Sequence, residues 1–385
     1  MTNMSKAFQP IQFISGATLK NRLMMAPLTI YDSYENGMIS DHELSYYKIR
    51  ANGVGAVITA ATYVSFLGKA FTGGPGADSD DKLPGLTRLA NTIHSQGSKA
   101  ILQIFHGGRM VDPSTIQGKQ PVSASSVKAL RENSVVPREL SNQEIVQIID
   151  DFGNATKRAI KAGFDGVEIH GANTYLIQQF FSPHSNHRSD KWGGSLEKRM
   201  NFPLSIIEKV KETVESNTSN PFIIGYRISP EEIEEPGITL DDTLLFIDQI
   251  ISKKIDYLHV SLGDIFRPSI RNKKDHTPVM EVISDYINNR ITIVGVGSIK
   301  NQETIDKAIE NLADIVSIGR QLIVDPKFVE KLENKDELSI RYNLSYYDKD
   351  LLNISDPTWD NISSIPGWFP LSREQVDNGT NEPWL

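Results

Sequence analysis

The fold is decided by a unit in which a helical pattern leads into a short buried strand. Residues 141–175 read SNQEIVQIIDDFGNATKRAIKAGFDGVEIHGANTY. Ser141 followed by Glu144 has the spacing of a helix capping box, and Gly163 is a typical helix stop. An apolar run over residues 166–169 follows, with polar residues directly after it. This order indicates an α/β protein with a parallel sheet.

The same alternation recurs along most of the chain. Short, β-branched apolar runs occupy residues 22–26, 56–60, 100–105, 166–169, 222–228, 257–261, 291–296 and 315–318. Helical patterns are assigned to residues 41–52, 141–162, 195–214, 240–253 and 300–311. No Gly-x-Gly-x-x-Gly fingerprint follows the first run, so an open doubly wound sheet is not favoured. A single-domain (β/α)8 TIM barrel over residues 1–333 is therefore predicted.

Two regions break this rhythm. Residues 106–140 form a long excursion after the third strand, rich in Ser, Pro and Gly, which we interpret as a lid or a wall of a site. The irregular tail 334–385 carries Trp359, Trp368 and Trp384. We expect this C-terminal extension to pack on the barrel or on a neighbouring subunit.

Composition excludes several classes of function. The 385-residue chain has no cysteine, which excludes disulfides, thiolate metal sites and a cysteine nucleophile. Its net charge of −8, from 48 acidic and 40 basic side chains, argues against nucleic acid as a partner. No apolar run is long enough to span a membrane and no secretion signal is recognised, so a cytoplasmic location is expected.

The residues after the fourth run suggest carbonyl chemistry, because barrel enzymes react at the carboxyl ends of their strands. His170 and Asn173 lie three residues apart. If the chain turns helically there, both side chains share one face and can donate hydrogen bonds to one carbonyl oxygen. Tyr175 could supply a proton. The alternative is a packed histidine followed by a turn asparagine.

A phosphate site is suggested at the ends of the seventh and eighth runs. Gly297 and Gly319 permit close approach of the backbone, and Arg320 adds a fixed cation. Barrels often bind phosphate at this position. The alternative is that both glycines are ordinary turn residues.

Other candidate sites are weaker. His184 and His187 lack the further ligands that zinc requires, so no metal site is predicted. No lysine ends a strand, which weakens a Schiff-base aldolase. A run of four carboxylates is interpreted as a solvated face; it comprises Glu231, Glu232, Glu234 and Glu235.

A longer motif gives a family resemblance. Residues 182–195 read SPHSNHRSDKWGGS, with Arg199 beyond. This stretch resembles the SPxxNxRxDxYGGSxxNR signature of the old yellow enzyme family, with Trp192 at the usual tyrosine and Lys198 at the usual asparagine. Further matches are Asn21-Arg22, Pro27, Gln103, His106, Gly108-Arg109, residues 162–170, residues 318–320 and Asp325-Pro326. The resemblance runs from about residue 8 to 333.

The resemblance implies an FMN-dependent oxidoreductase with NADPH or NADH as reductant. It would be an ene reductase, in which the flavin passes hydride to the activated C=C bond of an α,β-unsaturated carbonyl-type substrate. The expected partner is therefore a small molecule with an electron-poor alkene. A homo-oligomer is also expected.

The resemblance also implies which residues bind the cofactor. Thr29 would bond near flavin O4, and Gln103 and Arg227 would bond the pyrimidine edge. Arg227 would also stabilise the negative charge of the reduced flavin. The full set of implied FMN-binding residues is Pro27, Thr29, Ala61, Gln103, Arg227, Gly297, Gly319 and Arg320.

On the substrate side, the resemblance implies that His170 and Asn173 bind the carbonyl. Tyr31 would border the substrate, and Tyr175 would protonate its α-carbon. Arg341 and Arg373 are candidates for a C-terminal arginine that reaches a neighbour's site in some family members.

Three other functions remain open at this stage. One is a related flavin barrel dehydrogenase with a different substrate. The second is a flavin-binding redox protein without turnover, and the third is a phosphate-binding barrel without flavin. Thr29 stands where one bacterial branch of the family has cysteine, which could shift the flavin potential.

Overall fold

The computed structural model describes residues 5–372, so Arg373 and Trp384 lie outside the described residues. Eight parallel strands form its centre: Leu23–Met25, Ala56–Ile58, Lys99–Phe105, Gly166–Gly171, Ile223–Ile228, Tyr257–Val260, Thr292–Val296 and Ile315–Ile318. Each strand pairs in parallel with the next along the chain. The eighth strand pairs with the first, which closes the ring. The predicted (β/α)8 TIM barrel is confirmed.

Helices separate the barrel strands and cover the outside of the ring. In chain order they are α1 Asp41–Arg50, α2 Leu83–His94, α3 Asn142–Ala162, α4 Leu176–Phe181, α5 Leu196–Asn217, α6 Leu240–Ser252, α7 Val279–Ile287, α8 Gln302–Asn311, α9 Arg320–Val324, α10 Phe328–Glu333 and α11 Asp356–Ser364. All five helical patterns assigned from the sequence form helices. The capping box of α3 and the left-handed Gly163 at its end are also present.

Short strands complete the fold outside the main ring. They are Ile11–Gln12, Thr18–Leu19, Thr62–Tyr63, Val122–Ser123, Arg138–Glu139, Leu344–Ser345 and Leu371–Ser372. The first two pair as an antiparallel hairpin. Its Phe13 and Leu19 pack with Met24 and Tyr257 in a buried apolar cluster inside the barrel. This hairpin therefore closes the amino end of the barrel and leaves the carboxyl end for a site.

The stretch 182–195 that carries the family signature acts as a structural clamp. Asn186 Nδ2 donates to the carbonyls of Phe180 and Trp192 at 2.6 and 2.8 Å. Arg188 Nη1 donates to the carbonyls of Ala124 and Leu140 at 3.0 and 2.7 Å. Both acceptors belong to the long excursion after the third strand, so the signature fixes that excursion against α4.

The C-terminal segment beyond residue 340 is tied to the barrel by one buried cation. The Arg50 side chain is 1% exposed and stacks on the Tyr46 ring at 3.9 Å. Its guanidinium donates to the carbonyls of Tyr46, Leu322 and Leu352 at 2.9, 3.1 and 2.7 Å. Among the described residues, no helix is both long and apolar enough to cross a membrane.

Replacing Arg50 tests this attachment. Arg50→Met is expected to lower the free energy of unfolding by about 3 kcal/mol, because buried carbonyls lose their donors. Arg88→Met removes an exposed ion pair with Asp41 and should cost less than about 0.5 kcal/mol. Urea unfolding of both variants measures the difference, and equal effects would contradict the structural role of Arg50.

Candidate active site

A cavity of about 500 Å³ opens at the carboxyl ends of the barrel strands. Five residues that the sequence assigned to cofactor binding lie on its wall: Pro27, Arg227, Gly297, Gly319 and Arg320. Its other lining residues are Ala26, Leu28, Leu262, Gly263, Asp264, Val296, Ser298, Ile299, Ser317 and Trp368. The tail residue Trp368 was not assigned to this site from the sequence.

One end of the cavity is suited to a phosphate group. Gly297 has a φ of +133°, and a Cβ there would lie 2.8 Å from the backbone nitrogens of Asp264 and Ile265. Only glycine fits this backbone position. Arg320 reaches the same end, where its Nη2 lies 3.3 Å from Ser298 Oγ. The fixed cation and the glycine turn form a cradle for an anion.

The inner wall of the cavity carries buried polar atoms without partners. Arg227 is 7% exposed, and its Nε has no hydrogen-bond partner among the described residues. The Oγ of the fully buried Ser317 is also without one. Buried donors without partners are rare in folded proteins, so these atoms indicate where a polar ligand binds.

Below this wall, a buried carboxylate organises the barrel interior. Glu168 accepts hydrogen bonds from Gln103 Nε2 at 2.7 Å, from the Tyr257 hydroxyl at 2.9 Å and from His259 Nδ1 at 2.8 Å. Burial by itself would raise the pKa of Glu168, but the His259 imidazole and the Arg227 charge outweigh it and lower the pKa to about 2. Glu168 is therefore ionised and balances the buried charge of Arg227. Sequence reasoning missed both Glu168 and His259.

The three remaining residues that were predicted to bind the cofactor do not line this cavity. Gln103 is buried on the third strand, and its amide nitrogen is committed to Glu168. Ala61 is buried in a cluster with Phe105 and Tyr63. Thr29 lies on the partly buried loop after the first strand, two residues beyond Pro27.

His170 is a neutral donor at the end of the fourth strand. Its side chain is buried, and the backbone N–H of Ala172 donates to its Nδ1 at 3.3 Å. Burial and the nearby Arg227 lower the pKa of His170 well below its ordinary value. With Nδ1 used as an acceptor, the proton is on Nε2, which is then available as a donor.

Asn173 also presents a donor, but not through the helical turn considered from the sequence. Its φ is +55° and that of Thr174 is +65°, so the chain turns in the left-handed region, and α4 begins only at Leu176. The interpretation of a shared helical face was wrong. Asn173 Oδ1 accepts from Ser261 Oγ at 2.9 Å, which leaves the Nδ2 group as the donor.

Tyr175 stands directly beside His170. Their ring centroids are 5.1 Å apart, and the Tyr175 ring also meets Phe105 edge-on at 5.1 Å. Burial raises the pKa of the Tyr175 phenol, with a further contribution from Tyr31. The phenol is therefore protonated at neutral pH and makes no hydrogen bond to another described residue in the site.

The prediction that the run of four carboxylates forms a solvated face is wrong for two of them. Glu231 and Glu232 are 7% and 6% exposed. Glu232 accepts from Gln178 Nε2 at 2.8 Å and from Ser182 Oγ at 2.5 Å. These bonds fix α4, which follows Tyr175, to the loop after the fifth strand.

The C-terminal segment also reaches the site. The phenol of Tyr31 donates to Asn361 Oδ1 at 3.3 Å, and Arg320 Nη1 donates to the Trp368 carbonyl at 3.1 Å. Arg341, a candidate for an arginine that acts in a neighbouring site, forms an ion pair with Asp348 of its own chain at 3.0 Å.

Comparison with known proteins identifies the family. The model of the NADH:flavin oxidoreductase / NADH oxidase family matches residues 6–339. The chain belongs to this family, the old yellow enzyme family of FMN-dependent NAD(P)H oxidoreductases. The resemblance inferred from the signature stretch is confirmed, and so is FMN as the cofactor of the family.

Several curated relatives are similar over most of this chain. It is 43% identical over 93% of its length to the NADH:acrylate oxidoreductase of Vibrio harveyi, and 41% identical over 93% to the NADH:fumarate oxidoreductase of Klebsiella pneumoniae (strain 342). It spans only 36% and 39% of those two proteins. It is 41% identical to a probable NADH-dependent flavin oxidoreductase of Bacillus subtilis (strain 168), over 94% of this chain and 97% of that protein.

Solved structures of the old yellow enzyme family share the fold. The homologue from Zymomonas mobilis is 28% identical, with a TM-score of 0.76 over 86% of this chain and 93% of that one. Morphinone reductase in complex with tetrahydroNAD is 27% identical, with a TM-score of 0.74 over 86% of this chain and 91% of that one.

The cavity fits FMN on chemical grounds. A phosphate group suits the end that contains Gly297 and Arg320, and the unpartnered Arg227 Nε and Ser317 Oγ on the inner wall can bond a polar ring edge. The anionic phosphate would also compensate the local positive charge in a protein that is otherwise acidic.

The buried carboxylate gives a pH-dependent prediction. Because the folded-state pKa of Glu168 is lowered from 4.5 to about 2, its stabilisation is present above pH 4.5 and is lost as the pH falls towards 2. Glu168→Gln mimics the protonated acid and should lower the free energy of unfolding at pH 7 by about 3 kcal/mol. Denaturant unfolding at several pH values should show this gap narrowing below about pH 4.5. A gap that stays constant down to pH 3 would refute the ionised state.

Proposed function

We propose that the FMN-loaded protein oxidises NADH and reduces the C=C bond of α,β-unsaturated carbonyl compounds. The observation that carries this proposal is the pair of free donors, His170 Nε2 and Asn173 Nδ2, at one strand end beside the protonated phenol of Tyr175. Two donors and an acid next to a flavin cavity are the groups that polarised alkene reduction requires.

FMN would be held by Pro27, Thr29, Ala61, Gln103, Arg227, Gly297, Gly319 and Arg320. The bound cofactor supplies reversible two-electron chemistry between the nicotinamide and the acceptor. The protein would position it: Arg320 and the glycine turn would hold the phosphate, and Arg227 would supply a buried positive charge to the ring. That charge favours the reduced, anionic form of the cofactor.

His170 and Asn173 would bind the carbonyl oxygen of the substrate. As the β-carbon gains hydride, negative charge moves to that oxygen, and two donors held at the end of the same strand would stabilise it. Because the pKa of His170 is lowered by burial, the imidazole donates a hydrogen bond but remains neutral. This polarises the alkene without placing a second cation beside Arg227.

Tyr175 would complete the reaction by protonating the α-carbon. The raised pKa makes the phenol a weak acid, but the enolate-like carbon is a strong enough base to accept its proton. The alkene then gains one hydride at the β-carbon and one proton at the α-carbon. Tyr31 borders the same space from the loop after the first strand.

NADH is proposed as the reductant because the three curated relatives at 41 to 43% identity are all named for NADH. The acceptors in those names differ, so they do not assign an acceptor to this chain. The cytoplasmic location and the homo-oligomer remain predictions.

A second candidate function is an NADH dehydrogenase that passes electrons to a different acceptor. Two relatives favour this function, because they are much longer than this chain, which spans 36% and 39% of them. More than half of each relative therefore lies outside the matched part, and on this proposal acrylate or fumarate would be reduced there. On this account the matched part contributes NADH oxidation only.

Tyr175→Phe separates the two candidates. Ene reduction predicts that the variant loses about 10²- to 10⁴-fold in the rate of flavin reoxidation by 2-cyclohexenone, because the proton donor is missing. Flavin reduction by NADH should change less than about threefold, since hydride transfer from NADH needs no phenolic proton. Stopped-flow absorbance measures both half-reactions. Equal enone rates in the variant and the unchanged protein would favour the electron-transfer function.

A further inference from the structure

The C-terminal helix α11 contributes to the mouth of the barrel although it lies beyond the family match, which ends at residue 339. The helix begins against the loop after the first strand. Thr358 Oγ1 donates to the buried Asp32 carboxylate at 2.9 Å and accepts from the backbone N–H of Tyr31 at 3.1 Å. One turn later, Asn361 Oδ1 accepts the hydroxyl proton of Tyr31 at 3.3 Å.

The contact with Asn361 fixes the polarity of the Tyr31 phenol. A phenol has one proton, and here it is used by the Asn361 carbonyl oxygen. The phenolic oxygen of Tyr31 can then offer only its lone pairs to a ligand. Tyr31 therefore acts as an acceptor in the proposed substrate pocket, which we define by Tyr31, His170, Asn173 and Tyr175.

Tyr175 packs against the same aromatic side chain as Tyr31, and its phenol has the opposite polarity. Both phenol rings pack edge-on against Phe71, with centroid distances of 6.0 Å for Tyr31 and 6.1 Å for Tyr175. The Tyr175 hydroxyl makes no hydrogen bond to another described residue, so its proton remains available. The proposed substrate pocket would thus combine three donors, on His170, Asn173 and Tyr175, with one acceptor on Tyr31.

We propose that Asn361 is a positioning residue that makes the pocket selective for carboxamides, such as the nicotinamide of NADH, over carboxylates. The inference rests on the proposed function, because it requires that the nicotinamide enters this pocket. A primary carboxamide matches both sides: its C=O accepts from His170 and Asn173, and its NH2 donates to the Tyr31 oxygen. A carboxylate has only acceptor oxygens, so one of them would face the lone pairs of Tyr31.

The cost of this mismatch sets the expected selectivity. A site built to receive an N–H leaves its acceptor unpaired when the ligand lacks that group. One such hydrogen bond is worth about 1 kcal/mol, or about fivefold in affinity. Removing the Asn361 acceptor frees the Tyr31 proton, which can then turn towards a carboxylate.

The test uses nicotinamide and nicotinate, two ligands of nearly the same shape that differ in this group. Their dissociation constants are measured by the change they cause in the absorption of the FMN-loaded protein. Asn361→Leu should weaken the binding of nicotinamide about fivefold and strengthen that of nicotinate. The ratio of the affinity for nicotinamide to that for nicotinate should therefore fall about tenfold or more. Asn361→Asp keeps an acceptor and should retain the preference for nicotinamide.

Two further variants show whether Asn361 acts through Tyr31. Tyr31→Phe should also lower the preference for nicotinamide over nicotinate. The double variant Tyr31→Phe, Asn361→Leu should lower this preference little further than Tyr31→Phe alone. Ser363→Ala is the matched control, because this exposed side chain of the same helix donates to the Asp360 carbonyl, its one hydrogen bond among residues 5–372. It should leave both dissociation constants unchanged.

The remaining outcomes overturn the inference. Equal weakening of both ligands by Asn361→Leu would mean that the residue serves only the structure. An unchanged ratio in that variant would overturn the inference but leave the proposed function standing. If the unchanged protein bound neither ligand but its flavin was still reduced by NADH, only the inference would fail; a flavin that NADH does not reduce would contradict the proposed function.

Discussion

Closure of the parallel ring is the constraint on which the site depends. The eighth strand, Ile315–Ile318, pairs with the first strand, Leu23–Met25, so residues from both ends of the chain meet at one mouth. All eight strands run in the same direction, and their carboxyl ends therefore converge there. The amino end is closed by the hairpin that carries Phe13 and Leu19. Only the carboxyl end of the barrel therefore remains open for an active site.

The interior of this ring maintains a buried charge that the site requires. Arg227 could not remain ionised in an apolar barrel without compensation, because desolvation strongly disfavours an isolated charge. Glu168 provides that compensation and is itself held ionised by its donors. The same strand carries His170 one residue before its last residue, Gly171. One six-residue strand thus links charge balance in the core to carbonyl binding at the rim.

Much of the fold was predictable from the sequence, because eight apolar runs and their helix caps are local signals. The predicted ends of α1 and α5 differ from the observed ends by a few residues. Neither α2 nor α7 was assigned individually. Both helices bury one apolar face at helical spacing, so a signal that could have been used was present in the sequence. The signature stretch gave the family directly, although its residues act as a clamp rather than in the cavity.

The parts of the site that were missed depend on long-range or concealed contacts. Tyr31 and Asn361 are 330 residues apart, so no local pattern could join them. Glu168, His259 and Ser317 are polar residues within largely apolar strands, a signal that could have been used. The left-handed turn at Asn173 and Thr174 could not be derived from spacing, because residues three apart also meet in non-helical turns.

The most direct test of the central claim is the visible absorption of the FMN-loaded protein, recorded anaerobically during addition of NADH and then of 2-cyclohexenone. The account predicts that NADH bleaches the flavin and that the enone restores its colour, with one saturated ketone formed per flavin reoxidised. A flavin that NADH bleaches but the enone leaves reduced would contradict alkene reduction at this site. A protein that takes up no FMN would contradict the assignment of the cavity itself.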